Sequence, residues 1–275
     1  MQIIEIIKVI VLGIVQGITE WLPISSTGHM ILVDEFLKLN VTPEFMEVFL
    51  VVIQFGSILA VLILFWNKIN PFTFENGLRI EKGIFTMWLK IAVAFVPAAV
   101  VGLLFSDELN ELFYNYTTIA IMLILFGVLF IVIENYNKNR APKINSLTEI
   151  TYSVAIMIGL LQLIAAVFPG TSRSGATIVG ALLIGVARTV ATEFTFFLAI
   201  PVMFGASLLK ILKFGLNFSS DEWILLGTGM VVAFGVSLLA IKFLVSYIRK
   251  HDFKVFGWYR IILGILVLGY FYLLV

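Results

Sequence analysis

Five stretches of this chain, 45–66, 84–105, 117–134, 223–245 and 256–275, consist mostly of aliphatic and aromatic residues and approach the roughly 20 residues that a helix needs to cross a bilayer. Such runs can be satisfied only in hydrocarbon or deep inside protein. None alternates with the period of two expected of an outer-membrane barrel. The remaining composition agrees: 61% of the 275 residues are hydrophobic and 13% charged, against roughly 25% charged in ordinary soluble domains. An all-α, polytopic membrane fold is predicted. The absence of cysteine excludes a disulfide framework, a thiolate zinc site and a thiol nucleophile. At a net charge of +1, no nucleic-acid partner is expected. The opening segment has no basic n-region and no clear small-residue cleavage site, so it reads as retained structure.

The chain also resembles itself. At an offset of 146 residues Gly13 aligns with Gly159, Gln16 with Gln162, Pro23 with Pro169, Ser26 with Ser172 and Glu47 with Glu193. The predicted organisation is one integral membrane domain, 1–275, with repeat 1 at about 1–146 and repeat 2 at about 147–275. Each half opens with a short apolar helix broken by proline and a Ser/Thr/Gly cluster, and three spanning helices follow. Irregular backbone survives at membrane depth only inside protein, so each opening reads as a re-entrant hairpin with a polar elbow. Three crossings per half invert the second half relative to the first.

Loop charges give the orientation. Segments 67–83 (Lys68, Arg79, Lys82), 135–148 (Lys138, Arg140, Lys143) and 248–255 (Arg249, Lys250, Lys254) are basic, whereas 106–116 carries Asp107, Glu108 and Glu111. The positive-inside rule puts the basic loops in the cytoplasm and both termini outside, with the first hairpin entering from outside and the second from the cytoplasm. Lys38, Lys210 and Lys213 dissent, at helix ends where they would snorkel.

The polar residues at membrane depth are the functional candidates. Gly13, Gln16, Gly17 and Glu20 share one helical face. The turn after it supplies Ser25, Ser26, Thr27 and His29, and the second elbow supplies Gly170, Thr171, Ser172, Arg173, Ser174 and Thr177. Helix-start amides with hydroxyls suit an anion, and the planar guanidinium of Arg173 suits a phosphoryl group. Other readings stand beside this one: the hydroxyls cap helices, Glu20 and Arg173 form a structural ion pair, and Glu47 and Glu193 each hold an elbow by accepting backbone N–H bonds.

"QGITE" (16–20), "PISSTGHM" (23–30) and "PGTSRSGAT" (169–177), in that order and over essentially the whole chain, resemble the undecaprenyl-diphosphate phosphatase family of bacterial membranes. That family carries a (Glu/Gln)-xxx-Glu motif, a Ser-Ser-Thr-Gly-His stretch and a Pro-Gly-x-Ser-Arg-Ser-x-x-Thr motif. The resemblance places these on Gln16 and Glu20, on Ser25, Ser26 and His29, and on Pro169, Gly170, Ser172, Arg173, Ser174 and Thr177. Gln16, where many members have Glu, brings no negative charge. The resemblance implies removal of the terminal phosphate of a C55 isoprenyl diphosphate at the outer face of the plasma membrane, bacitracin tolerance, and a divalent cation, Mg2+ or Ca2+, on Glu20 and Gln16. The expected partners are the polyprenyl diphosphate lipid, the bilayer and, as an assembly, a homodimer.

Phosphoryl transfer demands positioning and charge neutralisation. Expected catalytic residues are Ser26 as nucleophile, His29 as base and then acid, Glu20 and Arg173. Gln16, Ser25, Thr27, Gly170, Thr171, Ser172, Ser174 and Thr177 are the expected substrate-binding set. Water activated by Glu20 or His29, and His29 itself as nucleophile, remain alternatives. A second class of membrane phosphatase needs a His following the arginine, which is absent before His251. The rival function is an alternating-access carrier or flippase of a lipid phosphate or other anion, because inverted repeats with broken helices serve that purpose.

Overall fold

A computed structural model describes residues 3–73, 79–215 and 218–273; residues 74–78 of the first basic loop and 274–275 of the last apolar run lie outside the described residues. The chain forms α1 (Ile3–Thr19), α2 (Ser26–Phe36), α3 (Pro43–Leu64), α4 (Trp66–Ile69), a small antiparallel ladder of β1 (Phe72–Thr73) and β2 (Arg79–Ile80), α5 (Lys82–Phe113), α6 (Tyr116–Asn137), α7 (Tyr152–Val167), α8 (Arg173–Ile184), α9 (Arg188–Phe214), α10 (Ser220–Ile248) and α11 (Lys254–Leu273). Among the described residues six helices are long and apolar enough to span a membrane: α3, α5, α6, α9, α10 and α11. Their starts are chemically marked. Thr42 accepts from Phe45 N ahead of Pro43, Asn115 accepts from Thr118 N, and Ser219 with Glu222 forms a reciprocal capping box.

Segment 106–116, expected as an acidic loop, is mostly helix. Its Leu, Asp, Glu and Asn residues include no breaker, so α5 runs on to Phe113 and extends about 48 Å at 1.5 Å per residue. The acidic residues sit on its last turns.

Each short helix pair closes on its own end. Lys8 Nζ donates to Lys38 O at 2.6 Å and Asn40 N to Glu5 at 3.0 Å, joining the start of α1 to the segment after α2. In the second half Ile144, before α7, bridges to Val186, after α8. Both pairs are therefore hairpins with the elbow at the far end.

The halves interlock. α1 packs on α10, and α7 packs on α5, each helix lying against the opposite half. Without a hydrophobic force between helices in lipid, such contacts depend on close backbone approach at small residues. A Cβ on Gly159 would stand 2.3 Å from Ala94 O, so only glycine lets α7 reach α5. Gly127 and Gly257 play the same part between α6 and α11, where a Cβ on either would come within 2.7 Å of the other's carbonyl oxygen.

α3 and α9, sequence equivalents at the 146-residue offset, pack antiparallel: Glu47 meets Lys210 at 2.6 Å, Ser207 Oγ donates to Val51 O at 3.1 Å, and Lys68 meets Glu193 at 2.7 Å. The expectation that Glu47 and Glu193 hold the elbows through backbone amides is corrected here. Their carboxylates are taken by lysines, Glu47 by Lys210 of α9 and Glu193 by Lys68 of α4, just past the end of α3, a partnership set by interhelical register. Lys210 and Lys213, the latter 3.6 Å from Asp107, likewise have acidic partners.

The core that supports the elbows draws on both halves. Trp21, fully buried, meets Phe196 edge-on at 5.1 Å, and Phe65 packs on Phe196 and Phe197. The residue following Glu20 is thereby fixed against α9.

Candidate functional site

Both elbow helices begin on a serine with left-handed backbone. Ser25 has φ 72° and Ser172 φ 70°; their hydroxyls accept from Gly28 N at 3.3 Å and Gly175 N at 3.1 Å. A non-glycine residue held there stores about 1–3 kcal/mol of strain, which the capping bond and surrounding packing offset. The structural equivalent of Ser172 is thus Ser25, one position off the ungapped diagonal that pairs it with Ser26. The second elbow carries one more residue between proline and cap. In consequence Ser26 and Arg173 are counterparts, each the first residue of its helix.

Those two first residues converge on one carboxylate. Glu20, 8% exposed, accepts from Gln16 Nε2 at 2.9 Å and from Ser26 Oγ at 3.2 Å on Oε2, and from Arg173 Nη2 at 3.2 Å on Oε1. Arg173 is held from behind by Thr195 O at 3.0 Å, and the Thr195 hydroxyl donates to Thr177, whose own hydroxyl bonds to Arg173 O. Gln16, Glu20, Ser26, Arg173 and Thr177 therefore form one hydrogen-bonded chain across both elbows.

The other predicted site residues take different positions. Ser25 and Ser172 are caps, and Ser174 exchanges a hydrogen bond with Ser172 at 3.1 Å. Thr27 is half-buried on the first turn of α2. His29 lies one turn further on: its Nδ1 donates to Ser25 O at 2.7 Å and its Nε2 accepts from the Tyr259 hydroxyl at 2.7 Å, with the two rings stacked. The Ser26 hydroxyl is directed to Glu20. Gly170 and Thr171 contribute main-chain oxygens to a residue that sequence reasoning missed.

That residue is Arg260, fully buried on α11. Its guanidinium donates to Thr171 O at 2.7 Å, Gly170 O at 2.9 Å, Pro23 O at 3.3 Å, and Met122 O and Leu123 O at 3.4 Å. One cation thus ties both elbows to α6. The signal was a single arginine inside the last apolar run. Tyr259 and Thr195 were missed as well; nothing in their sequence surroundings marks them.

Electrostatically the elbows hold one carboxylate and two guanidinium groups, an excess of positive charge beside two helix starts whose first-turn amides are only partly taken by the Ser25 and Ser172 caps. Arg173 Nε and the Thr171 hydroxyl are buried with no hydrogen-bond partner in the protein, the kind of donor that a phosphate oxygen satisfies. Among the described residues no group of three or more His, Cys, Asp or Glu could hold a metal. The carboxylate of Glu20, the amide oxygen of Gln16 and the Ser26 hydroxyl are hard oxygen donors. Such a set suits a hard divalent cation such as Mg2+ or Ca2+ better than a softer transition metal.

The sequence compares closely with known proteins. It is 67% identical to an undecaprenyl-diphosphatase of Desulfitobacterium hafniense over 98% of both chains. It is 65% identical to undecaprenyl-diphosphatase 1 of Clostridium acetobutylicum, covering 98% of this chain and 99% of that one, and 62% identical to an undecaprenyl-diphosphatase of Enterococcus faecalis over 98% of both. The family described as bacitracin resistance protein BacA matches residues 9–266, from α1 to α11 and across both elbows, and the chain belongs to that family.

Proposed function

We propose that the chain removes the terminal phosphate of undecaprenyl diphosphate, releasing inorganic phosphate and the monophosphate carrier lipid that cell-wall synthesis reuses. The observation that carries the mechanism is the simultaneous engagement of Glu20 by Ser26 and Arg173. A hydroxyl donating to a buried carboxylate is positioned to lose its proton there. In this reading Ser26 Oγ attacks the terminal phosphorus, its proton passes to Glu20, and the bond from phosphorus to the bridging oxygen breaks. Arg173, released from Glu20, binds the equatorial oxygens with the amides at the starts of α2 and α8. Glu20 passes the proton taken from Ser26 to the departing lipid monophosphate; water then attacks phosphoserine, giving one proton to Glu20, which returns it to Ser26 Oγ as inorganic phosphate leaves. His29, oriented by Ser25 O and Tyr259, serves proton transfer at the rim.

A divalent cation, when bound, would neutralise diphosphate charge; Glu20 and Gln16 would hold it. Gln16 has a second part, orienting Glu20 through its amide N–H.

For the membrane, we infer two inverted-topology repeats with the basic loops in the cytoplasm, both termini outside and the elbows opening to the outer face. The antiparallel packing of α3 and α9 and the closure of each hairpin on its own end support that reading. The names of the relatives do not favour the carrier alternative. Release of inorganic phosphate from a prenyl diphosphate by detergent-purified protein tests the proposal: a phosphatase needs one compartment, whereas a carrier yields no phosphate.

A further inference from the structure

A cavity of about 720 Å3 opens at the end of α8 opposite Arg173, where the end of α6, the turn from α8 to α9 and the end of α10 meet. Its walls are fixed by backbone. Lys143 N donates to Gly185 O at 2.7 Å, Ala187 N to Ile144 O at 2.8 Å, and the Asn137 amide to Leu182 O at 2.9 Å. Four cationic side chains line it: Arg140, Lys143, Arg188 and Arg249. Glu134, 1% exposed, neutralises Arg188 through bonds that include Nε to Oε1 at 2.9 Å. Among the described residues no carboxylate pairs with Arg140, Lys143 or Arg249, and the Arg140 guanidinium lies 3.6 Å from the Tyr136 ring centre. α9 starts in this wall without a side-chain cap, so its first amides add partial positive charge. The lining also has an apolar part: Leu183 and Tyr136 are each 52% exposed.

Uncompensated cations over a rigid floor recognise phosphate oxygens, and an exposed hydrocarbon border recognises what a lipid phosphate is attached to. We propose that this cavity binds a phosphate ester, the headgroup of an anionic membrane lipid whose chains lie along Leu183 and Tyr136. The site is separate from the elbows and independent of the reaction assigned to them.

The test uses the full chain in detergent. Native mass spectrometry and thermal unfolding are followed on adding phosphatidylglycerol, phosphatidylcholine or inorganic phosphate. Retention of phosphatidylglycerol in preference to phosphatidylcholine, with a rise in melting temperature, is the expected result and identifies a lipid source. Stabilisation by inorganic phosphate without lipid selectivity supports the same chemistry from a soluble source. No response to phosphate and equal retention of the two lipids overturns the proposal, whatever any variant does. The combined variant Arg140→Gln, Lys143→Gln, Arg249→Gln should bind phosphatidylglycerol about 100-fold more weakly, at about tenfold or less per cation, while still releasing phosphate from a prenyl diphosphate. Unchanged affinity in a folded variant also overturns it.

Discussion

Glu20 Oε1 lies 3.2 Å from Arg173 Nη2, and 153 positions separate these two residues in the chain. Their side chains are 8% and 12% exposed. Without substrate each neutralises the other at membrane depth, where an isolated charge is costly. On the proposed mechanism, a diphosphate entering between the elbows would compete with Glu20 for the guanidinium and leave the carboxylate able to accept a proton.

Replacing Arg173 by Lys should lower turnover about 100-fold or more, because a point charge loses both the planar fork and the bond to Thr195 O. Glu20→Gln should lower it by about 10²–10⁴-fold, the range for loss of a general base. Steady-state phosphate release, with folding verified by size exclusion, measures both. Wild-type turnover in Arg173→Lys would remove the role given to that residue.

Ser26→Ala should abolish turnover, and rapid quenching of the parent protein should trap phosphate on a peptide containing Ser26. Thr27→Ala is the contrast. Its neighbouring hydroxyl takes no part in the chain through Glu20, and a smaller loss is expected. An active Ser26→Ala protein would point instead to direct attack by water.

At Ser25 the backbone and the side chain make separable demands. Ser25→Gly keeps φ near 72° without strain and should change stability by a few tenths of a kcal/mol, whereas Ser25→Ala loses the cap and retains the strain, costing about 1–2 kcal/mol. Thermal unfolding in detergent of the two variants should rank Gly above Ala. The reverse order would mean that the positive φ at this position puts no strain on a residue with a Cβ.

Arg260→Met should lower the melting temperature and abolish activity together, since five carbonyl oxygens from both elbows and α6 lose their common donor. Arg260→Lys should not restore either property: three donors on a flexible stem cannot replace five in a fixed plane. Full activity in Arg260→Lys would show that charge alone suffices.

How much of this was legible in the sequence depended on whether a residue's partner lay nearby. The elbows were legible because Pro23, Pro169 and their serines break apolar helices where nothing else does. Five of the six spans were legible from the length of the apolar runs; α9, interrupted by polar residues, was expected only from the three spanning helices assigned to each half. That Gln16 and Glu20 share a face was legible from their i,i+4 spacing; the hydrogen bond between them appeared only in the structure. Arg260 was not legible: its partners are main-chain oxygens, which no side-chain pattern announces. The partners of Glu47 and Glu193 depended on the register of α3 against α9, and the equivalence of Ser25 with Ser172 was hidden by a single inserted residue. In each of these cases tertiary geometry, carried by no local motif, decided the outcome.

The interlocking of the halves bears on how the protein is made. Gly17 of α1 is covered by Ala233 and Val236 of α10. During synthesis α1 must therefore wait in the membrane, its glycine face unmatched, until nearly the whole polypeptide has left the ribosome. The first hairpin cannot complete its packing as the chain emerges, and truncation before α10 leaves α1, which carries Gln16 just ahead of Glu20, without the helix that covers its glycine face.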